Sequence, residues 1–180
     1  MIICGLDPSL TSTGVAIYRS PHDVFIDTIR SEGKATNTDH DHLPRILSIR
    51  NRLMNILTDP VHGGIDLVVM EGRANSKFDQ GVIHWLWGEL FKTMVLGARL
   101  PVVVCPPSTM KKMVTDNGNA GKLIVAQRLG KMWPDLEFAA DDESDAVGLM
   151  TCGLVKYRQE VPFTVLERHR LAIAKMEWPT

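Results

Sequence analysis

The sequence predicts an α/β fold with a mixed five-stranded sheet flanked by helices. Three observations carry that expectation. The first 30 residues hold three short apolar runs separated by turn residues, which makes an antiparallel meander. Two later apolar runs, residues 65–70 and 101–105, alternate with helix-length segments, as strands parallel to the first would. The chain has 180 residues, 44% apolar and 23% charged, the size and make-up of one domain around one sizeable core.

The elements follow in order. Residues 2–6 are a first strand, closed by Asp7-Pro8-Ser9 and a Ser/Thr-rich turn ending at Gly14. Residues 15–18 resume as a second strand, Ser20-Pro21-His22 breaks it, and residues 24–29 alternate like a third. Residues 31–42 are polar and read as a loop. From Leu43 the apolar positions Leu43, Ile46, Leu47, Leu53, Met54 and Leu57 fall at helical spacing, with Pro44 in the first turn. Residues 65–70 then form a central strand covered on both faces. Residues 81–98 are apolar on most sides, so this helix either lies deep in the core or meets a second subunit. Helices are also expected at 122–131, with Ala126, Leu129 and Met132 inward, at 144–157, and less regularly at 166–176. The predicted order is β-β-β-α-β-α-β-α-α, with a domain over 1–158 and a partly helical C-terminal extension over 159–180.

Composition narrows the function. Apolar stretches fall short of the roughly 18–20 residues of a membrane span. The opening residues read as a strand rather than a signal peptide, so the expected setting is cytoplasmic. Cys4, Cys105 and Cys152 form no CxxC and read as small core hydrophobes. Net charge is −1, which excludes a strongly basic nucleic-acid coat. The charge is uneven, however. Residues 108–131 carry Lys111, Lys112, Lys122, Arg128 and Lys131 against a lone Asp116, while 135–145 carry six acidic residues and no basic one.

Four carboxylates stand at element ends. Asp7 ends the first strand and Glu71 the fourth, while Asp142 and Asp145, three apart at the start of a helix, share one face. Singly, each has a plain reading: a turn aspartate before proline, a residue at the edge of a core, acidic residues offsetting a helix dipole. Converging, they are the oxygen ligands that hard divalent cations prefer. Two such cations can clamp the attacking and leaving oxygens of a phosphodiester.

Gly5-Leu6-Asp7-Pro8-Ser9 with Thr13-Gly14, then Val69-Met70-Glu71-Gly72, then Asp142-Glu143-Ser144-Asp145-Ala146 resemble, in order and spacing, the acidic motifs of the RuvC-like Holliday-junction resolvases. The segment from Lys111 to Lys122, around Asn117-Gly118-Asn119-Ala120, is similar to their basic phosphate-holding segment. The resemblance covers roughly residues 1–157. It implies an RNase H-like sheet and a structure-selective endodeoxyribonuclease acting on four-way or other branched DNA. It further implies two Mg²⁺ ions, with Mn²⁺ as a substitute, and a homodimer, for which the apolar 81–98 helix is the candidate interface. Carried over residue by residue, Asp7, Glu71, Asp142 and Asp145 would be metal ligands, and Lys122 would neutralise charge on the phosphate. Beyond the resemblance, Lys111, Lys112 and Arg128 in the basic segment, and Arg73, Lys77 and Phe78 shortly after Glu71, are expected to contact DNA. Two departures stand out: Ser9 where the family often has glycine, and Ala74 where bacterial members place an aromatic wedge, for which Phe78 is the candidate substitute.

Competing readings are weaker. Asn117–Lys122 echoes a P-loop, but Asp116 stands at the first glycine and Leu123 at the metal-binding hydroxyl. An actin-like or sugar-kinase ATPase module also opens with strand, Asp turn and strand, yet leaves the Asp142/Asp145 pair unexplained. A non-catalytic junction-binding protein would have to tolerate four unneutralised carboxylates beside DNA.

Overall fold

The computed structural model describes residues 1–33, 38–73, 81–137 and 141–179. Strands β1 (Ile3–Asp7), β2 (Ser12–Ser20), β3 (Asp23–Arg30), β4 (Leu67–Glu71) and β5 (Val102–Cys105) form one sheet in the order β3-β2-β1-β4-β5. β1–β2 and β2–β3 are antiparallel, β1–β4 and β4–β5 parallel. That is the expected mixed sheet.

Side-chain alternation sorts the strands onto two cores. Cys4, Leu6, Val15, Ile17, Val68 and Met70 face helices α1 (Asp39–Thr58) and α2 (Gly81–Lys92). Ile3, Ala16, Tyr18, Leu67 and Val69 face the other side. There they meet α3 (Pro107–Thr115), α4 (Lys122–Met132), α5 (Asp141–Lys156) and α6 (Glu167–Ile173). The period of two therefore explains why apolar runs are nearly unbroken: both faces are covered. The three cysteines are buried and free, as their isolation predicted. Among the described residues, no helix is long and apolar enough to cross a membrane.

Several expectations need correcting. The second strand is longer than 15–18, because its polar ends still pair with β3 and Gly14 pairs with Asp7 of β1. The first helix starts at Asp39, not Leu43. The Asp41 carboxylate accepts from Thr38 N at 2.7 Å and Thr38 Oγ1 at 2.9 Å, so a polar cap rather than apolar period starts it. Pro44 thus lies inside the helix, and Leu43 and Leu47 are exposed while Ile46, Ile49, Leu53 and Leu57 are buried.

The 81–98 segment is not buried all round. Leu86, Leu90 and Met94 face the core, whereas Trp85 is 44% and Leu96 75% exposed. Its last turn, Thr93–Gly97, is π-helical. Helix α3 was not anticipated. It is short, and its inward face rests on Met110, Met113 and Val114. In α4 it is Val125 rather than Ala126 that joins Leu129 and Met132 in the core. Helix α5 begins at Asp141, three residues before the expected start, and α6 is shorter than predicted. Beyond α5 the chain folds back: Phe163, Val165 and Trp178 pack on the α5-side core, and Tyr18 Oη donates to Glu160 O at 2.7 Å.

Candidate active site

The site begins with strand parity. In β1, Ile3, Gly5 and Asp7 point to the α5 face; in β4, Leu67, Val69 and Glu71 do the same. Parallel pairing sets Leu6 beside Met70, so one step further Asp7 and Glu71 emerge together at adjacent strand ends. The turn after Asp7 is tied by Thr13, whose Oγ1 accepts from Ser9 N at 3.1 Å and donates to Ser9 O at 2.7 Å. Arg45 of α1 braces it from behind, donating to Leu10 O at 2.6 Å and Ser31 O at 3.0 Å.

Two glycines admit the third element. A Cβ on Gly5 would lie 2.0 Å from Ala146 O, and one on Gly14 would lie 2.0 Å from Asp142 O. Helix α5 therefore rests directly on the backbones of β1 and β2, which no larger residue permits. That close seat brings Asp142 and Asp145, on one helical face, against Asp7. Ser12 Oγ donates to Asp142 Oδ2, and Thr28 Oγ1 donates to buried Glu143 Oε1 at 2.9 Å. Both strands of the β2–β3 hairpin thus hold the first turn of α5.

Electrostatics record the convergence. Burial chiefly, then the charge of Glu71 and a hydrogen bond with it, then Asp145 and Asp142, hold the Asp7 carboxyl well above its usual range. Glu71 is also raised, mainly by burial and by Asp145, against the lowering effects of Asp7's hydrogen bond and of Lys111 and Lys122. Asp7 and Asp145 are each 7% exposed. Three carboxylates converging on Asp7, with Asp7 and Glu71 kept from ionising freely, form a donor set with excess negative charge. Its chemistry fits a hard divalent cation. Among the described residues, no three His, Cys, Asp or Glu side chains are gathered into a finished coordination cage. Asp7 and Glu71 touch, while Asp145 acts on both and Asp142 on Asp7 through their charges.

The cations divide into two groups. Lys111 on α3 and Lys122 at the first position of α4 both act on Glu71, so they stand beside the carboxylates. Lys112 and Arg128 are exposed, and Arg128, six residues along α4, has turned off the Lys122 face. Arg73 is exposed just past β4, its guanidinium 5.1 Å above the Trp87 ring. Lys77, Phe78 and Ala74 lie outside the described residues.

Sequence reasoning passed over Ser12, Thr28 and Trp87. Ser12 carried only a turn signal, and Thr28 meets Glu143 across 115 positions, which no local pattern announces. Trp87 stands in an apolar helix that the sequence marks only as core or interface, yet its Nε1 donates to Glu71 O at 2.8 Å.

No family model matches the chain. Among curated proteins it is similar to the crossover junction endodeoxyribonuclease RuvC of Salinibacter ruber, 30% identical over 158 residues, covering 84% of each chain. The RuvC of Bifidobacterium adolescentis is 27% identical over an alignment of 187 positions, covering 99% of this chain and 91% of that one. Among solved structures, Thermus thermophilus RuvC superposes with a TM-score of 0.61 at 17% identity, over 83% of this chain and 91% of that chain. The same protein in complex with Holliday junction substrate gives 0.64 at 15% identity, over 83% and 90%. At those identities the structures speak for the fold.

Proposed function

The chain belongs to the RuvC family of crossover junction endodeoxyribonucleases, and we propose that it resolves four-way or related branched DNA junctions by metal-assisted phosphodiester hydrolysis. One observation carries the reading beyond membership: Glu71, Asp145 and Asp142 all converge on Asp7, and Asp145, Lys111 and Lys122 act on Glu71.

In this reading the four carboxylates hold two divalent cations, Mg²⁺ or Mn²⁺, whose excess positive charge offsets the crowding that burdens Asp7. Bound there, such cations supply the Lewis acidity that phosphodiester hydrolysis requires. Asp142 is oriented by Ser12, and the whole α5 pair by the close seat on Gly5 and Gly14. Lys122 and Lys111 neutralise charge gathering on the attacked phosphate. Lys112 and Arg128 bind the DNA backbone further out, contributing affinity rather than sequence reading. Lys77 and Phe78 stay with the DNA contacts on the strength of the sequence alone.

Paired nicking needs two sites, and the exposed Trp85 and Leu96 of the 81–98 segment support a homodimer through that helix. An ATPase module accounts for neither the α5 pair nor the family membership. The test is cleavage of a labelled four-way junction with Mg²⁺, comparing wild type with Asp7→Asn and Asp145→Asn. Loss of cutting in both variants is expected; equal cutting by all three removes the proposed site. If linear duplex is cut as fast as the junction, the resolvase reading fails and a nuclease remains.

A further inference from the structure

Trp87 touches two groups at the end of β4, Glu71 and Arg73. Its indole N–H holds the Glu71 carbonyl at 2.8 Å, and its ring carries the Arg73 guanidinium at 5.1 Å. Phe91, one turn further along α2, stacks beneath it with ring centroids 5.0 Å apart and planes at 11°. The indole is thereby clamped on an edge and a face.

Beside it lies a cleft of about 130 Å³ between Pro8, Glu71, Gly72, Arg73 and His84. Pro8 and Gly72 are the residues immediately after Asp7 and Glu71, so the cleft opens one residue beyond each proposed ligand. With its central carbon over the aromatic face, the guanidinium is held by a cation–π contact that uses none of its N–H donors, which remain available to an anion. Among the described residues, no carboxylate pairs with that fork. A free surface arginine loses side-chain freedom when it binds, whereas one already laid on a clamped ring loses less.

We propose that this cleft seats a DNA backbone phosphate flanking the attacked one, with Arg73 as its counter-ion and Trp87 as the positioning residue that fixes Arg73 and Glu71 relative to each other. The proposal rests on the nuclease reading above and extends it. Trp87 acts through its neighbours and touches no reacting atom. Its indole edge and indole face have separable consequences. Removing the N–H loosens the Glu71 end of β4 and affects turnover; removing the ring releases Arg73 and affects DNA binding.

The experiment measures binding of a fluorescent four-way junction by anisotropy in EDTA across a range of NaCl, and turnover separately in Mg²⁺. One phosphate contact contributes roughly 0.9 to the slope of log affinity against log salt for duplex DNA. Arg73→Ala is expected to reduce that slope by about 0.9, and Arg73→Lys to restore most of it. Trp87→Phe keeps a ring face and should keep the slope, but its kcat should fall about tenfold with KM for DNA unchanged, as losses of a ligand's supporting bond do. Trp87→Leu should show both defects; if it does not fold by circular dichroism, Trp87→Phe carries the test. A wild-type slope in Arg73→Ala, with Asp7→Asn still inactive, overturns the subsite and leaves the nuclease intact. Wild-type slope and kcat in Trp87→Phe, with Trp87→Leu also normal or unfolded, overturns the positioning role. A slope change in Arg73→Ala from a protein that cuts no junction supports the subsite while the nuclease reading fails.

Discussion

Replacing Gly14 with alanine tests how the acidic helix is seated. The new Cβ would lie 2.0 Å from the Asp142 carbonyl oxygen and 2.6 Å from its carbonyl carbon. Ordinary van der Waals contact begins at 3.4 Å, so strand and helix must part by about 1.4 Å. The obstructing atoms are backbone and belong to the residue that carries a proposed ligand, so no side-chain rotation relieves the clash. Overpacking of this kind costs about 1–3 kcal/mol. In a chain of this size that lowers Tm by roughly 2–12 °C. Misplacing a catalytic group by about 1 Å costs on the order of a hundredfold in rate. Gly14→Ala is therefore expected to fold, to melt lower, and to cut a four-way junction about a hundredfold more slowly in saturating Mg²⁺. Gly130→Ala is the matched control, because a Cβ there meets nothing within 4 Å and α4 should gain about 0.5–1 kcal/mol. Single-turnover rates on denaturing gels and circular-dichroism melts read both quantities. If Gly14→Ala cuts within about twofold of wild type, the seat of α5 does not set the site and the reasoning is refuted.

Asp7→Asn removes one of four crowded carboxylates, so in EDTA it should melt above wild type; an unchanged or lower Tm would show that the crowding is not costly. Thr151 accepts from Trp133 Nε1 at 3.0 Å in the core, and Thr151→Val leaves that N–H unpaired; a loss of about 1–3 kcal/mol in urea unfolding is expected. Glu89 bonds Arg50 at 2.8 Å and Lys92 at 3.0 Å, which lowers its carboxyl pKa through the hydrogen bond to Arg50 first and that to Lys92 next. Because the folded pKa is depressed, this stabilisation is present above the unfolded glutamate pKa and is lost as pH falls through the folded value. The stability gap between wild type and Glu89→Gln should thus close on acidification below about pH 4, and a gap that persists there would contradict the pairing. Leu96→Glu places charge on the 75%-exposed end of the 81–98 segment and should yield monomers in sedimentation velocity; a dimer in that variant removes this face as the interface.

Sequence alone determined the sheet, most helices and the four acidic positions, because these depend on period and on residue type at element ends. The apolar runs 2–6 and 65–70 already place Asp7 and Glu71 at strand ends, and three-residue spacing already pairs Asp142 with Asp145. It did not reveal α3, whose nine residues carry too short a period, nor the start of α1, which a polar cap decides. It left open whether the 81–98 helix lies deep in the core or has an uncovered face, because apolar composition does not say which face is covered. Only the tertiary structure decided that Gly5 and Gly14 are a seat for α5, that Ser12 and Thr28 hold its first turn, and that Trp87 grips Glu71. Each of these joins residues far apart in the chain through a close backbone approach or a single hydrogen bond. Local periodicity carries no trace of such contacts, because they exist only once the strands have paired and the helix has docked.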